Sequence, residues 1–224
     1  MRQSHTKPAQ HAAAVDAAAP IVRPALGVGA VAALDSGIPG EGGAHRGDAS
    51  TTFRVLVADP PWPFGDALPG KARGAKKHYR LMSLADIRAF PLPPLADNAV
   101  LFLWRVASMQ EEALAVMRAW GFVPKTEIVW LKRTVRGKRW FGMGRTVRAE
   151  HETVLIGVRG KPKVRTHSIR STFEAPAGRH SEKPEAFYAL VEQLYAGPYV
   201  ELFARRQRAG WTCLGDQAGR GART

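Results

Sequence analysis

Four consecutive residues, Asp59-Pro60-Pro61-Trp62, place a carboxylate, two prolines and an indole directly after an apolar run. Proline fixes the backbone and lacks an N–H, so we expect the carbonyl oxygens of this turn to be free acceptors. A planar exocyclic amine offers two N–H donors and a π-face, which Asp59, the Pro60 carbonyl and the Trp62 ring could bind together. The simpler alternative is a proline turn that ends a strand while Trp62 only covers the core.

The elements around this turn are those of an α/β protein. Short apolar runs predict strands at 53–58, 99–104, 126–131, 153–158, 199–204 and 211–214. Helical patterns are predicted at 83–87, 108–120 and 182–195, with Ser83 and Ser108 as N-caps and Gly121 closing the second helix. Strands that alternate with helices indicate a mostly parallel sheet with helices on both faces. In such a sheet, ligands bind at the carboxyl ends of the strands, where Asp59 is predicted to lie.

The charge of the chain points to an anionic partner. The 224 residues include 33 Lys and Arg against 19 Asp and Glu, a net charge of +14, and such an excess most often serves nucleic acid. Two segments, 71–80 and 132–148, are rich in Lys and Arg and contain no acid. We interpret them as a rim that contacts phosphates, with Trp140 and Phe141 available to stack on unpaired bases. The alternative is a solvated basic face.

Several classes of protein and site are excluded or disfavoured by composition. Residues 1–48 contain no aromatic side chain and are predicted to be a disordered Ala- and Gly-rich extension, although 41–50 could instead fold onto the domain. The folded domain is predicted at 49–218 and a flexible basic tail at 219–224. The single cysteine, Cys213, excludes a disulfide framework, the scattered histidines favour no metal site, and no apolar run is long enough for a membrane span. We therefore expect a cytoplasmic protein that does not bind membranes.

The order of further motifs resembles the MT-A70 family of S-adenosylmethionine-dependent adenine-N6 methyltransferases. The resemblance covers about 165 residues, essentially everything after the N-terminal extension. Its blocks, in chain order, are 55–62, 78–83, 101–104, 127–132, 152–160, 180–184, 201–205 and 211–217. It implies a Rossmann-like methyltransferase fold with permuted motif order, and S-adenosylmethionine as the cofactor.

The resemblance also implies roles for individual residues. The catalytic residues would be Asp59, Pro60, Pro61 and Trp62. The cofactor would contact Asp59, Lys183, Phe203, Arg205, Asp216 and Gln217. Nucleic acid would contact Lys132 and Arg133, joined by Lys138 and Arg139 from the basic segment, while Glu152 matches an acidic position near the acceptor pocket.

Two departures from the family pattern concern the cofactor side. Asp216 stands where the family commonly has Asn, and Arg206-Gln207-Arg208 stands where eukaryotic members often have a His-Asn pair.

Two alternative functions remain: a catalytically silent nucleic-acid-binding subunit, and a methyltransferase for another planar amine such as cytosine N4. The small size and the Ala-, Arg- and Gly-rich composition suggest a bacterial or phage protein, which favours DNA over RNA. The chain could act as a homodimer or a heterodimer.

Overall fold

The computed structural model describes residues 51–63, 81–142, 144, 146–178 and 182–215. The predicted extension 1–48, the tail 219–224 and the basic segment 71–80 lie outside these ranges. In chain order the described elements are β1 (Phe53–Ala58), α1 (Leu84–Arg88), β2 (Leu95–Arg105), α2 (Gln110–Ala119), β3 (Val123–Arg133), β4 (His151–Arg159), β5 (Thr172–Pro176), α3 (Glu185–Leu194), β6 (Tyr199–Leu202) and β7 (Trp211–Leu214). The longest of these helices have ten residues, and no described helix is long and apolar enough to cross a membrane.

The seven strands form one sheet in the order β5-β3-β4-β2-β1-β6-β7. β1 is parallel to β2 and β6, β6 is parallel to β7, and β3 is parallel to β5. β4 alone among these strands runs antiparallel to its neighbours, β2 and β3. The carboxyl ends of β1, β2, β3 and β6 therefore meet the amino end of β4 at one edge of the sheet, which we call the site edge.

The apolar side chains of the central strands point alternately to the two faces of the sheet. On each face they are buried against helices, as predicted. On one face Leu56 and Leu101 pack with Val116 of α2. On the other, Val57 and Phe102 pack with residues of α3 such as Phe187. Because both faces are covered, the central strands are buried on both sides, and their near-continuous apolar runs follow from this.

Ser83 caps the start of α1 as predicted, because its side chain accepts the Asp86 N–H. Gly121 follows the end of α2 as predicted and has a φ of 82°. The predicted Ser108 cap is wrong, because Met109 occupies the N-cap of α2 and makes no side-chain cap hydrogen bond.

The helix predicted at 182–195 starts three residues later than expected, since α3 begins at Glu185 with Pro184 as its N-cap. The residue before a proline avoids helical backbone, so Lys183 is kept out of the helix and its chain continues towards the site edge.

Candidate active site

Asp59 follows β1 at the site edge and is held there by two cations. The Lys183 Nζ lies 3.3 Å from Asp59 Oδ2, and an Arg205 guanidinium nitrogen lies 3.8 Å from the same oxygen. Lys183 precedes α3 and Arg205 follows β6, so three separate parts of the chain converge on one carboxylate. The motif order predicted that these three residues share a site, and the structure brings them together.

Lys183 also joins Asp59 to a second carboxylate. Its Nζ lies 2.8 Å from Glu152 Oε2, while the Lys132 Nζ lies 2.5 Å from Glu152 Oε1. Glu152 comes to the site edge because β4 is antiparallel and begins there, next to Trp130 of β3. The result is a chain of alternating charges, Asp59–Lys183–Glu152–Lys132, which we call the charge relay.

Burial and pairing act in opposite directions on the pKa values in the charge relay. Burial raises the pKa of Glu152, but Lys183 and Lys132 outweigh it and bring that pKa down to about 2. Burial likewise lowers the pKa of Lys183, and here Asp59 and Glu152 prevail and hold it above its ordinary value. Glu152 and Lys183 therefore remain charged at neutral pH.

Two indoles form an apolar support beneath the charge relay. The Lys183 Nζ lies 4.5 Å from the centre of the Trp104 ring, and the Lys132 Nζ lies 5.1 Å from that of Trp130. The two rings meet edge to face at 6.3 Å, and both are buried. The ammonium groups thus gain cation–π attraction on the side turned away from the carboxylates. The sequence analysis did not assign Trp104 to the site, although it ends an apolar strand run at the same edge.

The Trp62 ring is buried rather than presented for stacking in this structure, and its contact with a base stays a prediction. Only 4% of Trp62 is exposed, and its Nε1 donates to the Trp104 carbonyl at 3.0 Å. The indole belongs to the core on the α1–α2 face, as the simpler alternative proposed. Trp62 therefore fixes the turn after β1 relative to the end of β2, and so positions Asp59.

The proline carbonyls are also engaged, contrary to expectation. The Pro60 carbonyl accepts the Trp62 N–H at 2.8 Å, and the Pro61 carbonyl accepts the Met82 N–H at 3.0 Å. A carbonyl oxygen has two lone pairs. One lone pair of the Pro60 carbonyl already accepts the N–H within the turn, so one remains for a further hydrogen bond.

Phe203 and Arg205 lie where the chain leaves β6. Phe203 has a φ of 60°, a left-handed conformation that is costly for an aromatic residue, and its ring packs at 4.6 Å from that of Phe90. A Cβ at Gly215 would come within 2.4 Å of the Ala204 carbonyl oxygen, so the chain after β7 passes directly against this turn. Strained backbone of this kind concentrates at functional sites, which agrees with the predicted cofactor role of Phe203. Asp216 and Gln217 lie outside the described residues.

The arginines that depart from the family pattern pack against α3. Arg208 lies 2.5 Å from a Glu185 carboxylate oxygen, and its guanidinium lies 3.5 Å from the centre of the Tyr188 ring. Arg206 pairs with Glu182 at 3.1 Å and also with Glu185. These contacts tie the segment after β6 to the start of α3, and so hold the parts of the chain that carry Arg205 and Lys183 against each other.

The second basic segment forms a hairpin with partly neutralised charge. Arg133 and Arg139 face each other across a bridge, and Gly137 at the turn has a φ of 76°. Arg133 donates from Nε to Glu174 at 2.9 Å, and Arg139 does so to Glu150 at the same distance. The acids were missed because Glu150 follows the segment and Glu174 lies in β5, a strand that was not predicted.

The four predicted nucleic-acid contacts are therefore separated: Lys132 lies in the charge relay, Arg133 and Arg139 are paired with acids, and Lys138 is exposed on the hairpin. Within the described ranges, no group of three or more His, Cys, Asp or Glu is placed to hold a metal ion.

Comparison with known proteins gives one family and several relatives. Residues 53–217 match the model of the MT-A70 family. An N(6)-adenosine-methyltransferase MT-A70-like protein of Arabidopsis thaliana is 32% identical over 180 residues, which cover 78% of this chain and 25% of that protein. The human N(6)-adenosine-methyltransferase catalytic subunit METTL3 is 29% identical over 177 residues, 74% of this chain and 28% of its own. The type II methyltransferase M.MunI of Mycoplasma sp is 28% identical over 180 residues, 71% of this chain and 75% of its own. The chain thus spans about a quarter of the length of the first two relatives, but most of the third.

Proposed function

This chain belongs to the MT-A70 family, and from that membership we propose that it transfers a methyl group from S-adenosylmethionine to N6 of adenine in a nucleic acid. The observation that carries the proposal is the position of Asp59. Its carboxylate stands at the carboxyl end of a central strand, and two cations hold it by Oδ2. We assign Oδ1, together with the second lone pair of the Pro60 carbonyl, to the two N–H groups of the adenine amine.

The residues around Asp59 fit the charged end of S-adenosylmethionine. That cofactor carries a carboxylate and an ammonium group on its methionine part, and Arg205 and Asp59 offer the complementary charges 3.8 Å apart. Phe203 presents a half-buried aromatic ring at the same end of β6, suited to an adenine ring. We infer that Asp59, Phe203 and Arg205 hold the cofactor, with Lys183 bridging towards the substrate.

When bound, S-adenosylmethionine would supply an electrophilic methyl group on a sulfonium. In-line displacement by N6 would break the carbon–sulfur bond as the carbon–nitrogen bond forms, leaving S-adenosylhomocysteine and releasing one proton from N6 to solvent. Adenine N6 is a poor nucleophile because its lone pair is conjugated with the ring. Hydrogen bonds to Asp59 favour the pyramidal nitrogen, and the carboxylate stabilises the positive charge that develops on it. The protein's remaining task is alignment, since no covalent intermediate with the protein is needed.

We assign Glu152 and Lys132 to the acceptor side of the site. Glu152 has a pKa of about 2 and contacts two lysines, so it is unsuited to taking the proton that N6 releases. Its role is to hold Lys183 in place and to orient Lys132 at the rim, where a nucleic acid phosphate or the base edge can meet it. An adenine paired in a duplex cannot reach Asp59 unless it is flipped out, so single strands or flipped bases are the proposed substrates.

We propose DNA as the substrate in preference to RNA. The support is the match to the type II methyltransferase M.MunI of Mycoplasma sp, which spans 71% of this chain and 75% of that protein.

One experiment tests the reaction, the base and the nucleic acid together. The protein is incubated with methyl-labelled S-adenosylmethionine and with DNA or RNA of matched sequence, and the nucleosides are separated after digestion. We expect labelled N6-methyl-deoxyadenosine, and at least about a hundredfold slower labelling with an Asp59→Asn variant prepared in parallel. Label on cytosine N4, or none with either nucleic acid, would overturn the proposal. Label in RNA alone would overturn only the choice of DNA.

A further inference from the structure

A third basic segment follows β4, and neither the motifs nor the proposed function account for it. Residues 159–170 contain five Lys and Arg residues together with His167, and no Asp or Glu. The five are Arg159, Lys161, Lys163, Arg165 and Arg170, and all are exposed. Within the described part of the chain, no carboxylate lies within ion-pair distance of any of them. Here the segment differs from the hairpin, where Arg133 and Arg139 are paired with acids.

The segment begins far from the charge relay. Glu152 lies at the site edge, whereas Arg159, seven residues later, lies beside Ala99 at the opposite edge of the sheet. At a strand rise of about 3.3 Å per residue, the two are about 23 Å apart. A phosphate bound at Arg159 is therefore too distant to belong to the adenine held at Asp59.

The segment is ordered mainly by backbone and apolar contacts. Among its cationic side chains, only that of Arg165 makes a hydrogen bond within the described residues, donating to the Glu192 carbonyl at 3.0 Å. The Lys161 N–H donates to the Asn98 side chain at 2.7 Å, and the Arg165 N–H donates to the Leu194 carbonyl at 2.8 Å. Val164 and Ile169 pack against the core on the α3 face. The backbone is thus held in place while the side chains of Arg159, Lys161, Lys163 and Arg170 are exposed, so binding would cost little ordering of the chain.

A cavity of about 310 Å³ opens beside the end of this segment. Its apolar wall includes Ile156, Val158 and Leu194, and its charged lining consists of Lys125, Arg170 and Glu127. An apolar cleft of this size with cations at its margin suits a flat aromatic group attached to an anion. One unpaired base and its phosphate have this chemistry.

We propose that residues 159–170 and the adjoining cavity form a second contact for the nucleic acid, away from the site of methyl transfer. The proposal rests on the proposed function in that the ligand is the substrate strand itself. Phosphates bind along Lys161, Lys163 and Arg170, and an unpaired base enters the cavity. At about 3.4 Å per stacked nucleotide, Arg159 lies about seven nucleotides from Glu152. The cavity lies nearer, since Ile156 is only four residues from Glu152 on β4. Only strands of several nucleotides can therefore engage both contacts.

The test compares a short and a long single-stranded DNA, about two and about twenty nucleotides in length, each containing one adenine. The variant combines Lys161→Gln, Lys163→Gln and Arg170→Gln. The matched control combines Arg54→Gln, Arg88→Gln and Arg118→Gln, which removes the same charge from exposed positions elsewhere. Affinity is measured by fluorescence anisotropy at several salt concentrations, and turnover by methyl incorporation.

We expect the variant to bind the long strand at least tenfold more weakly than the control, with a salt slope lower by about 2, since each single-strand phosphate contact contributes about 0.7. The short strand should be bound and methylated equally by both proteins. Equal affinities for the long strand would overturn the second contact. A wild type that binds the long strand but methylates no substrate would instead overturn the proposed function.

A second variant tests the cavity separately from the charge. Ser171 lines the cavity with an exposed side chain, and the hydrogen bond it accepts from Val129 involves only its backbone. Ser171→Trp should fill the cavity and weaken binding of the long single strand about fivefold without changing the salt slope. Unchanged binding of this variant, once its melting temperature is shown to match the wild type, would overturn the role of the cavity.

Discussion

In the proposed function, Asp59 would bind the adenine amine in competition with its own neighbours. The Lys183 ammonium and the Arg205 guanidinium both approach Oδ2, so this oxygen is already an acceptor before any ligand arrives. The two cations orient the carboxylate, but they also weaken it as an acceptor for a neutral amine. The proposed arrangement would therefore favour an interaction that strengthens as N6 becomes positive, which is the condition for lowering the barrier rather than only binding substrate.

Replacing Asp59 with Asn tests this charge dependence directly. The amide keeps the size and one acceptor but loses the negative charge, so kcat should fall by about 10²–10³, as for removal of one preorganised electrostatic partner. Asp97→Asn, at an exposed position at the other end of β2, is the control for loss of an acid. Methyl incorporation under saturating substrate is the measurement. Retention of more than about a tenth of kcat, less than about 1.4 kcal/mol, would contradict the role of Asp59.

Lys183→Met should change how the protein responds to acid. In the wild type the pKa of Glu152 is lowered from 4.5 to about 2, so its ion pairs stabilise the fold above pH 4.5 and are lost as the pH falls from 4.5 towards 2. Without Lys183 the pKa of Glu152 rises, and the acid-unfolding midpoint should move to higher pH.

Circular dichroism between pH 2 and pH 7 measures this midpoint, with Lys125→Met, at an exposed position, as the control. An unshifted midpoint in Lys183→Met would mean that the charge relay does not stabilise Glu152 as described.

At the scale of elements, α3 and β6 are joined through a buried acid. The Tyr188 hydroxyl donates to Glu201 Oε1 at 2.8 Å, and burial raises the pKa of Glu201 despite this hydrogen bond. Burial of Glu201 therefore costs stability once the acid ionises, and this cost appears as the pH rises through the folded-state pKa, although the Tyr188 hydrogen bond itself favours the ionised form.

Glu201→Gln should therefore raise the melting temperature at pH 8 relative to the wild type, while the two proteins converge near pH 4.5. The amide retains an acceptor for Tyr188 and removes only the charge. Thermal unfolding at a series of pH values is the measurement, and Glu127→Gln, at an exposed position on β3, serves as the control. A difference that does not grow with pH would contradict the assignment.

The strands could be predicted from the sequence where a run of apolar residues alone determines them. β1 and β7 match their predicted bounds, and the other predicted strands differ only at their ends. β5 was missed because Thr172–Pro176 is an edge strand with an acid and a proline, so it lacks the apolar run that predicts a buried strand. The motif order predicted that one site contains Asp59, Lys183 and Arg205. The pairing of Glu152 with Lys132 and the burial of Trp62 depend on the direction of β4 and on a contact between distant residues, which local pattern does not contain.

At the scale of the whole molecule, the net charge of +14 does not show which basic side chains are paired with acids and which are available to bind phosphates. Near the hairpin, Glu174 and Glu150 neutralise two arginines, whereas Arg136 and Lys138 are exposed. At the opposite edge the segment 159–170 is uniformly basic. Cations already paired with carboxylates release fewer counterions when a phosphate approaches, so the number of basic residues does not give the number of phosphate contacts.

The salt dependence of binding should separate the paired and unpaired cations of the hairpin. Replacing Arg136 and Lys138 by Gln should lower the slope of log K against log salt by up to about 1.4 on single strands. Replacing Arg133 and Arg139 by Gln removes the same charge but exposes Glu174 and Glu150. The slope should then change less, even though affinity falls. Anisotropy titrations over about 50–200 mM salt measure both, and identical slope changes would contradict the distinction.

The position of the Lys183 ammonium over Trp104 gives the protein an optical property of its own. The excited indole has a redistributed charge, so its emission energy depends on the electric field of nearby ions. With Lys183 4.5 Å from the ring centre, and with the ring buried, that field is strong and poorly screened. A ligand that draws the Lys183 ammonium towards Asp59, or away from it, should change the wavelength and intensity of the Trp104 emission. Occupancy of the site should therefore change the intrinsic tryptophan emission, to which Trp104 contributes as one of six tryptophans.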